Sequence, residues 1–408
     1  MMQTLQLAFR NLTRNRRRTM LAALAVFFGV SALLVIRGVL NGVQAAQRSA
    51  MVERYTGAIQ VHRTGYFKQI IGNPLALAFP VESATMDKLR AIPGVRGVSE
   101  RILFGVMLNA NDTSVLAMAT AFAPAHEYGV CPRRQEDVAT GLPVSDEQPG
   151  GIVPAASMIR RLKWDGTTPG ALLGNDQDGV LNALDISLRG TSGLPNVPGV
   201  EARTMMMHLK TAQELLRMEG KVTEIAIALR DMQEIDRVVT LVRSTMGPGY
   251  EVHTWQDLAP FIVGEEKNQE IIFAVFVAIF ILAALLGITN TMLVNMLERV
   301  REIGTMLAVG ARRRRVLTLF LMEGVLLALV GCAVGTAFAC ALVAVLGEVG
   351  IHLKFVGGGI LHIYPYTKAW QAAGLTTFCA VGAMVASLSP AWRASRLTPS
   401  QALLGAEG

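Results

Sequence analysis

The sequence predicts a membrane α-helical protein with four transmembrane helices and a large α+β domain inserted between helices 1 and 2. Three observations carry that prediction. Half of the 408 residues are apolar and only 17% are charged, an oilier balance than an average soluble domain has. Four uncharged runs are each long enough for a bilayer core of about 30 Å, which takes roughly 20 helical residues. The arginines gather in three short stretches beside those runs instead of spreading over the chain.

The first run is Thr19 to Ile36; its apolar pattern resumes past Arg37 through Leu40, with the arginine close enough to the end to snorkel toward headgroups. It is too long for the apolar centre of a cleaved leader and is expected to remain as a span. Ile271 to Leu297 supplies 27 uncharged residues, Gly324 to Gly347 supplies 24, and Ala369 to Trp392 another 24.

The net charge of +7 follows the same plan. Residues 1–19 carry five arginines and no acid, residues 298–315 six arginines against two glutamates, and residues 393–408 two against one, so these stretches total +10 and the rest of the chain −3. The basicity marks topology, not a nucleic-acid footprint, and no nucleic-acid partner is expected. Cytoplasmic loops hold the arginines, which assigns a cytoplasmic amphipathic segment to 1–18, the first span to 19–42, an external domain with stalk helices to 43–268 and the second span to 269–297. A cytoplasmic helix follows at 298–315, then the third span (316–347), an external loop (348–368), the fourth span (369–392) and a cytoplasmic tail (393–408).

Lipid supplies no hydrophobic drive for helices to associate, so contacts between spans rely on small residues. Gly331 and Gly335 form a GxxxG in the third span; Ala25 with Gly29 and Gly382 with Ala386 are weaker versions. Glu323, an acid just inside the third span, is expected to pair with the nearby arginine cluster.

The external domain is long enough for its own core. Strand-like runs at Ala58 to His62, Leu103 to Leu108, Ser114 to Thr120 and Glu224 to Leu229 alternate with amphipathic helix candidates at Ala84 to Ala91 and Met232 to Thr245. Turns are marked at Pro93-Gly94 and from Pro195 to Gly199, and residues 41–55 and 255–270 read as stalk helices. No HExxH, GxSxG, paired CxxC or GxxxxGK[ST] occurs, the six histidines are scattered, and Asn175 to Gly179 lacks the register of a calcium loop. No catalytic, cofactor or metal residue is assigned. Of the four cysteines only Cys131 lies in a polar region, too few for a disulfide framework.

The most specific motif is Glu298 to Arg315. Ile303, Met306, Leu307 and Gly310 share a face at helical spacing, with Glu298, Arg299, Arg301, Glu302 and Arg312 to Arg315 supplying charge around it. Such a helix fits a groove on a cytoplasmic partner; the same pattern suits one held by arginine attraction to anionic lipid. Gly310 is placed to end it through a left-handed turn.

This motif resembles the coupling helix of the permease superfamily that includes macrolide-exporter-type, lipoprotein-releasing and FtsX-like ABC transporter subunits, E-x-x-R-E-I-G-x-x-x-A-x-G-A. The stretches AFRNLTRNRRRT (8–19), FLMEG (320–324) and PAWRASRLTPSQA (390–402) resemble further landmarks of that superfamily. The chain departs at Leu307, where a basic residue is common. Within the domain, TGAIQVHRTGY (56–66), IPGVR (92–96), VTEIA (222–226) and HTWQD (253–257) are most similar to the lipoprotein-releasing branch.

The resemblance implies a non-catalytic permease in a bacterial inner membrane, with both termini cytoplasmic and the large domain periplasmic. It implies a second permease, identical or sister, and a cytoplasmic ABC ATPase dimer that binds the ATP and Mg; this chain would hold no cofactor. Glu298, Arg299, Arg301, Glu302, Ile303, Gly304, Leu307, Gly310, Ala311 and Arg312 would couple to the ATPase. A lipoprotein or other amphiphile would leave the outer leaflet for the periplasm, there meeting a lipoprotein carrier, past cavity walls that include Leu33, Leu40, Phe261, Ile272 and Phe276. Two alternatives stand beside this: a transducer that activates a periplasmic cell-wall hydrolase, and a tripartite peptide or drug exporter.

Overall fold

The computed structural model describes residues 16–69, 74–193, 203–310, 312–354 and 360–395. Most of the expected amino-terminal segment, the turn at Pro195 to Gly199, Ala311 and the tail from residue 396 lie outside them. The chain forms two compact units. One is Met1–Gln44, Glu266–Ile351 and His362–Gly408; the other is Ala45–Glu265 with His352–Leu361.

Among the described residues, four helices are long and apolar enough to cross a membrane: Arg16–Met51, Pro260–Glu298, Arg313–Val349 and Ala369–Ser395, here spans 1 to 4. Spans 1 to 3 outrun their apolar stretches, because backbone hydrogen bonding continues into polar flanks until a residue that leaves helical geometry stops it. Span 1 passes into a π-helical turn, Val52–Thr56, ended by Gly57 at φ +73°, and Gly350, also at φ +73°, ends span 3. The expected second stalk is not continuous. Trp255–Leu258 is a single turn with a Thr254–Asp257 capping box; Ala259 then leaves the helical region at φ −126°, ψ 58°, as a residue before proline must, and Pro260 starts span 2.

Within the membrane unit, a side chain at Gly331 would meet Val26 at 2.9 Å and the Ala23 carbonyl at 3.0 Å, and one at Gly335 the Phe27 carbonyl at 2.9 Å. Ser31 Oγ donates to the Gly335 carbonyl at 3.0 Å. Spans 1 and 3 thus meet backbone to backbone at these two glycines. The weaker pairs are looser: Gly29 has Phe280 at 4.0 Å and Gly382 has Ile281 at 3.6 Å. Gly335→Leu is therefore expected to force spans 1 and 3 apart at about 1–3 kcal/mol, seen as a lower thermal denaturation midpoint of the purified chain in detergent. Gly29→Leu should shift it less; equal midpoints would rule out the close seam.

The second unit is built on one long strand. Its strands are β1 (Ile59–Arg63), β2 (Phe79–Pro80), β3 (Val95–Ala110), β4 (Thr113–Phe122), β5 (Val138–Gly141), β6 (Gly151–Pro154), β7 (Gly170–Asn175), β8 (Leu181–Leu188), β9 (Gly190–Ser192), β10 (Thr204–His208), β11 (Lys221–Val222), β12 (Glu224–Leu229) and β13 (Tyr250–Thr254); a further pair, β14 (Ile351–Lys354) and β15 (Ile360–Ile363), lies between spans 3 and 4 in sequence.

One edge of β3 pairs with β4, the other first with β12 and then with β7. From β4 the sheet runs through β10, β6 and β8 to β7. Since β7 returns to β3, these six strands close into a barrel with no free edge. Val106, Leu108 and Ala110 point into its core while Met107 points out, the two-residue period of a strand. On the open side β12, β1 and β13 continue the sheet, and helices Ser83–Arg90 and Ile235–Met246 bury Met86, Leu89, Val238 and Val242 against the core.

The predicted run at Leu103 to Leu108 is only the middle of β3, since Gly97, Ser99 and Arg101 interrupt its apolar pattern without interrupting the strand. At the calcium-like stretch, Asp176 Oδ1 accepts from the backbone of Asp178 and Val180 and Oδ2 from Asn182; the carboxylate closes its own turn.

Candidate functional site

The helix between spans 2 and 3 occupies Val300–Ala308, shorter than the segment expected from 298 to 315. Arg299 leaves helical geometry at φ −108°, ψ 12°, separating it from span 2, and Gly310 at φ +93° ends the following turn, so that Arg313 to Arg315 already belong to span 3. Ile303 and Gly304 are buried. Ile303 packs with Met296 of span 2, Val316 and Phe320 of span 3 and Ala391 of span 4, with Leu307 half-buried against the same cluster. The departure at Leu307 therefore supplies a packing contact. Arg299 Nη1 reaches Glu323 Oε1 at 3.1 Å, both side chains largely buried, so Glu323 pairs with an arginine at the foot of this helix. Met306 and Gly310, which spacing puts on the same face as Ile303, are exposed, Met306 to 38%, and so is Val309 at 90%. The buried face is Ile303, Gly304 and Leu307; Arg301, Glu302, Met306 and Val309 face outward, with Glu298 and Arg312 also exposed. A surface of two apolar side chains ringed by charge suits docking onto a protein groove.

In the second unit, the turn Val52–Thr56 is gripped by buried arginines. A helix end leaves carbonyls unpaired, and here Arg134 donates to the Arg54 and Tyr55 carbonyls at 2.9 Å each, and Arg101 to the Tyr55 carbonyl at 2.7 Å. Arg101 also forms a two-point contact with Glu127 at 2.8 and 2.7 Å, donates to Cys131 Sγ at 3.1 Å and lies 3.5 Å from Glu224. Arg134 reaches Glu127 at 3.1 Å, and Arg54 pairs with Asp137. Sequence reading missed this cluster, whose members are scattered from residue 54 to 224; the only local signal is charge inside otherwise apolar strand patterns.

Burial pushes the Glu127 carboxyl up, but Arg101 and Arg134 outweigh it and hold the group below its usual 4.5. Glu224 ends below 4.5 in the same way, with burial opposed by His62, whose Nε2 lies 3.7 Å from the carboxylate, and by Arg101. A carboxyl depressed in the folded state stabilises above its unfolded value, and that contribution is lost as pH falls through the folded value. The thermal midpoint of this unit is therefore expected to drop steeply below about pH 4.5, with a shallower acid drop in Glu127→Gln; a drop of equal depth in that variant would exclude Glu127 as its source.

A groove of about 940 Å³ lies in the membrane unit, walled by Phe273, Val277, Ile281 and Leu285 of span 2 and Leu375 and Phe378 of span 4. Arg37 and Glu270 close one end with two 2.7 Å contacts, and the Arg37 guanidinium lies over the Phe273 ring at 5.3 Å. The residues expected from the sequence to wall a cavity do not line this groove. Leu33 is buried beside a crevice of about 20 Å³, Ile272 and Phe276 are exposed on other faces of span 2, and Phe261 belongs to the Trp255 cluster of the second unit. Leu40 is half-buried and does not line the groove. A helix has several faces, and apolarity near its end does not say which one meets a cavity.

Residues 274–399 match the FtsX-like permease C-terminal family, so the chain carries an FtsX-like permease domain reaching from span 2 through span 4. It is 27% identical over 418 residues to the macrolide export ATP-binding/permease protein MacB of Nitrobacter winogradskyi, covering 97% of this chain and 59% of that protein. With the protein of the same name from Shewanella oneidensis identity reaches 39% over 118 residues, 29% of this chain and 16% of that one. The chain spans about 60% of the length of the curated relatives it matches end to end. Among solved structures, the periplasmic region of MacB from Actinobacillus actinomycetemcomitans matches with a TM-score of 0.35 at 8% identity, over 50% of this chain and 92% of that one. The extracellular domain of the noncanonic ABC-type transporter YknZ from Gram-positive bacteria matches at 0.34 and 12%, over 48% and 100%.

Proposed function

We propose that this chain is the permease of an ABC transporter of the mechanical type, in which ATP hydrolysed on cytoplasmic ATPase domains drives motion of an external domain. The observation that carries the proposal is the anchoring of Val300–Ala308: Ile303 sits in a cluster drawn from spans 2, 3 and 4 and Arg299 pairs with Glu323, while Met306 and Val309 stay outward. A push on the outward face is passed to three spans at once, because close-packed interiors transmit displacement. The arginine distribution supports cytoplasmic termini and an external, periplasmic domain in a bacterial inner membrane. The ATPase pair and its Mg-bound ATP belong to partner chains in this proposal, and a second permease completes the complex.

The cargo we propose is an amphiphile withdrawn from the outer leaflet. The phrases shared with the lipoprotein-releasing branch favour a lipid-modified polypeptide and a periplasmic carrier for it. The macrolide-export name of the relatives favours the second reading, export of an apolar small molecule. Identifying what co-purifies with the assembled complex separates the two. Coupling itself is tested by co-reconstitution with the ATPase: Glu302→Ala and Gly310→Val are expected to remove the permease-dependent stimulation of ATP turnover, and undiminished stimulation in both would sink the assignment.

A further inference from the structure

The groove between spans 2 and 4 has one polar end, and the chemistry there is selective. Arg37 and Glu270 neutralise each other, yet unequally in exposure: 15% of the arginine side chain and 47% of the glutamate is accessible. The arginine is further occupied by Gln371, whose amide lies 2.9 Å from it, and by the Phe273 ring. What remains open is a carboxylate edge beside a nearly covered cation. Trp370, 70% exposed, lies on the rim, and tryptophan prefers the depth of lipid headgroups. Below it the wall is apolar, and Gly374 has no atom within 4 Å of where a side chain would begin.

We propose that this groove holds an acyl chain of a phosphatidylethanolamine, whose primary ammonium donates to Glu270 while its phosphate stays on the Arg37 side. The site is net neutral, so an anionic glycerol headgroup finds no unbalanced cation. A choline headgroup carries the positive charge but has no N–H to give. The volume lies at the upper end of the roughly 300–1,000 Å³ typical of ligand pockets. The inference deepens the amphiphile-handling part of the proposed function and rests on it only for the membrane placement of these helices. ATP turnover does not enter its readout, so the two can fail separately.

The test uses the full chain in nanodiscs with Trp392→Phe, so that Trp370 reports on the bilayer; Trp164 and Trp255 are buried in the other unit. Phosphatidylethanolamine, phosphatidylglycerol or phosphatidylcholine with brominated chains is added as a minor component. Phosphatidylethanolamine is expected to quench Trp370 at about threefold lower mole fraction than the other two, the scale of one exposed charge-assisted contact. Glu270→Gln should erase that preference but leave quenching, and Gly374→Phe, which fills the groove, should reduce quenching by all three lipids. Equal quenching by the three lipids, or a preference that survives both substitutions, would overturn the proposal and leave the groove to annular lipid or to a helix of a second copy.

Discussion

Glu127→Ala is expected to unfold the second unit well below the temperature at which the parent protein does. The carboxylate is fully buried and receives contacts from two arginines, Arg101 and Arg134, that are themselves 0% and 5% exposed. Removing one partner of a buried ion pair leaves uncompensated charge and costs about 3–5 kcal/mol. For a unit of this size each kcal/mol moves the midpoint by roughly 2–4 °C, so a fall of about 10 °C is expected. Trp164 and Trp255, both buried in this unit, report it by fluorescence in the full chain. A shift under about 2 °C would mean that solvent reaches the cluster and that its burial is not what holds it. The same variant should loosen the turn Val52–Thr56, because Arg101 would lose the partner that aims it at the Tyr55 carbonyl. Protease cleavage near residue 55, absent in the parent, is the corresponding local readout.

The second large effect is expected at the foot of the helix between spans 2 and 3. Arg299→Ala removes the cation 3.1 Å from the largely buried Glu323, a broken buried pair again costing about 3–5 kcal/mol, and loosens the helix from span 3. Permease-dependent ATP stimulation should disappear along with thermal stability, so the single variant does not separate folding from coupling. Arg299→Met combined with Glu323→Leu does. Apolar replacement of a buried pair is often neutral or stabilising, so the double variant should regain the parent midpoint. If the pair orients the helix, stimulation stays low in the stable double variant; a full return of stimulation would reduce the pair to a stability element.

Both predictions concern contacts that sequence reading reached unequally. Glu323 was legible as an acid in need of a cation, because charge inside an apolar run is costly wherever it occurs. That the cation is Arg299, and not one of the arginines from 312 to 315, depended on the chain leaving helical geometry at residue 299, which no local pattern marks. Spacing put Ile303, Met306, Leu307 and Gly310 on one apolar face; the short helix turns Ile303, Gly304 and Leu307 inward and leaves Met306 outward, and shared apolarity could not decide between two overlapping faces. β12 was read to its final residue because every position in it is apolar or buried, whereas β3 was read only in part because glycine, serine and arginine break its pattern. Arg101 and Glu127 are 26 residues apart and Arg101 and Glu224 are 123 apart, and neither separation carries a periodic signature.

The amino-acid sequence by itself determined the number and order of the spans, the span ends beside which its arginines gather and the existence of an inserted domain. Each of these is a sum over consecutive residues: apolar length against bilayer thickness, and local charge against a membrane surface. Closure of β3 to β7 into a barrel, the arginine grip on Val52–Thr56, the glycine seam between spans 1 and 3 and the groove between spans 2 and 4 were decided only by tertiary structure. They depend on which side chains face each other across distances that the chain bridges in space, and a one-dimensional pattern contains no information about that facing.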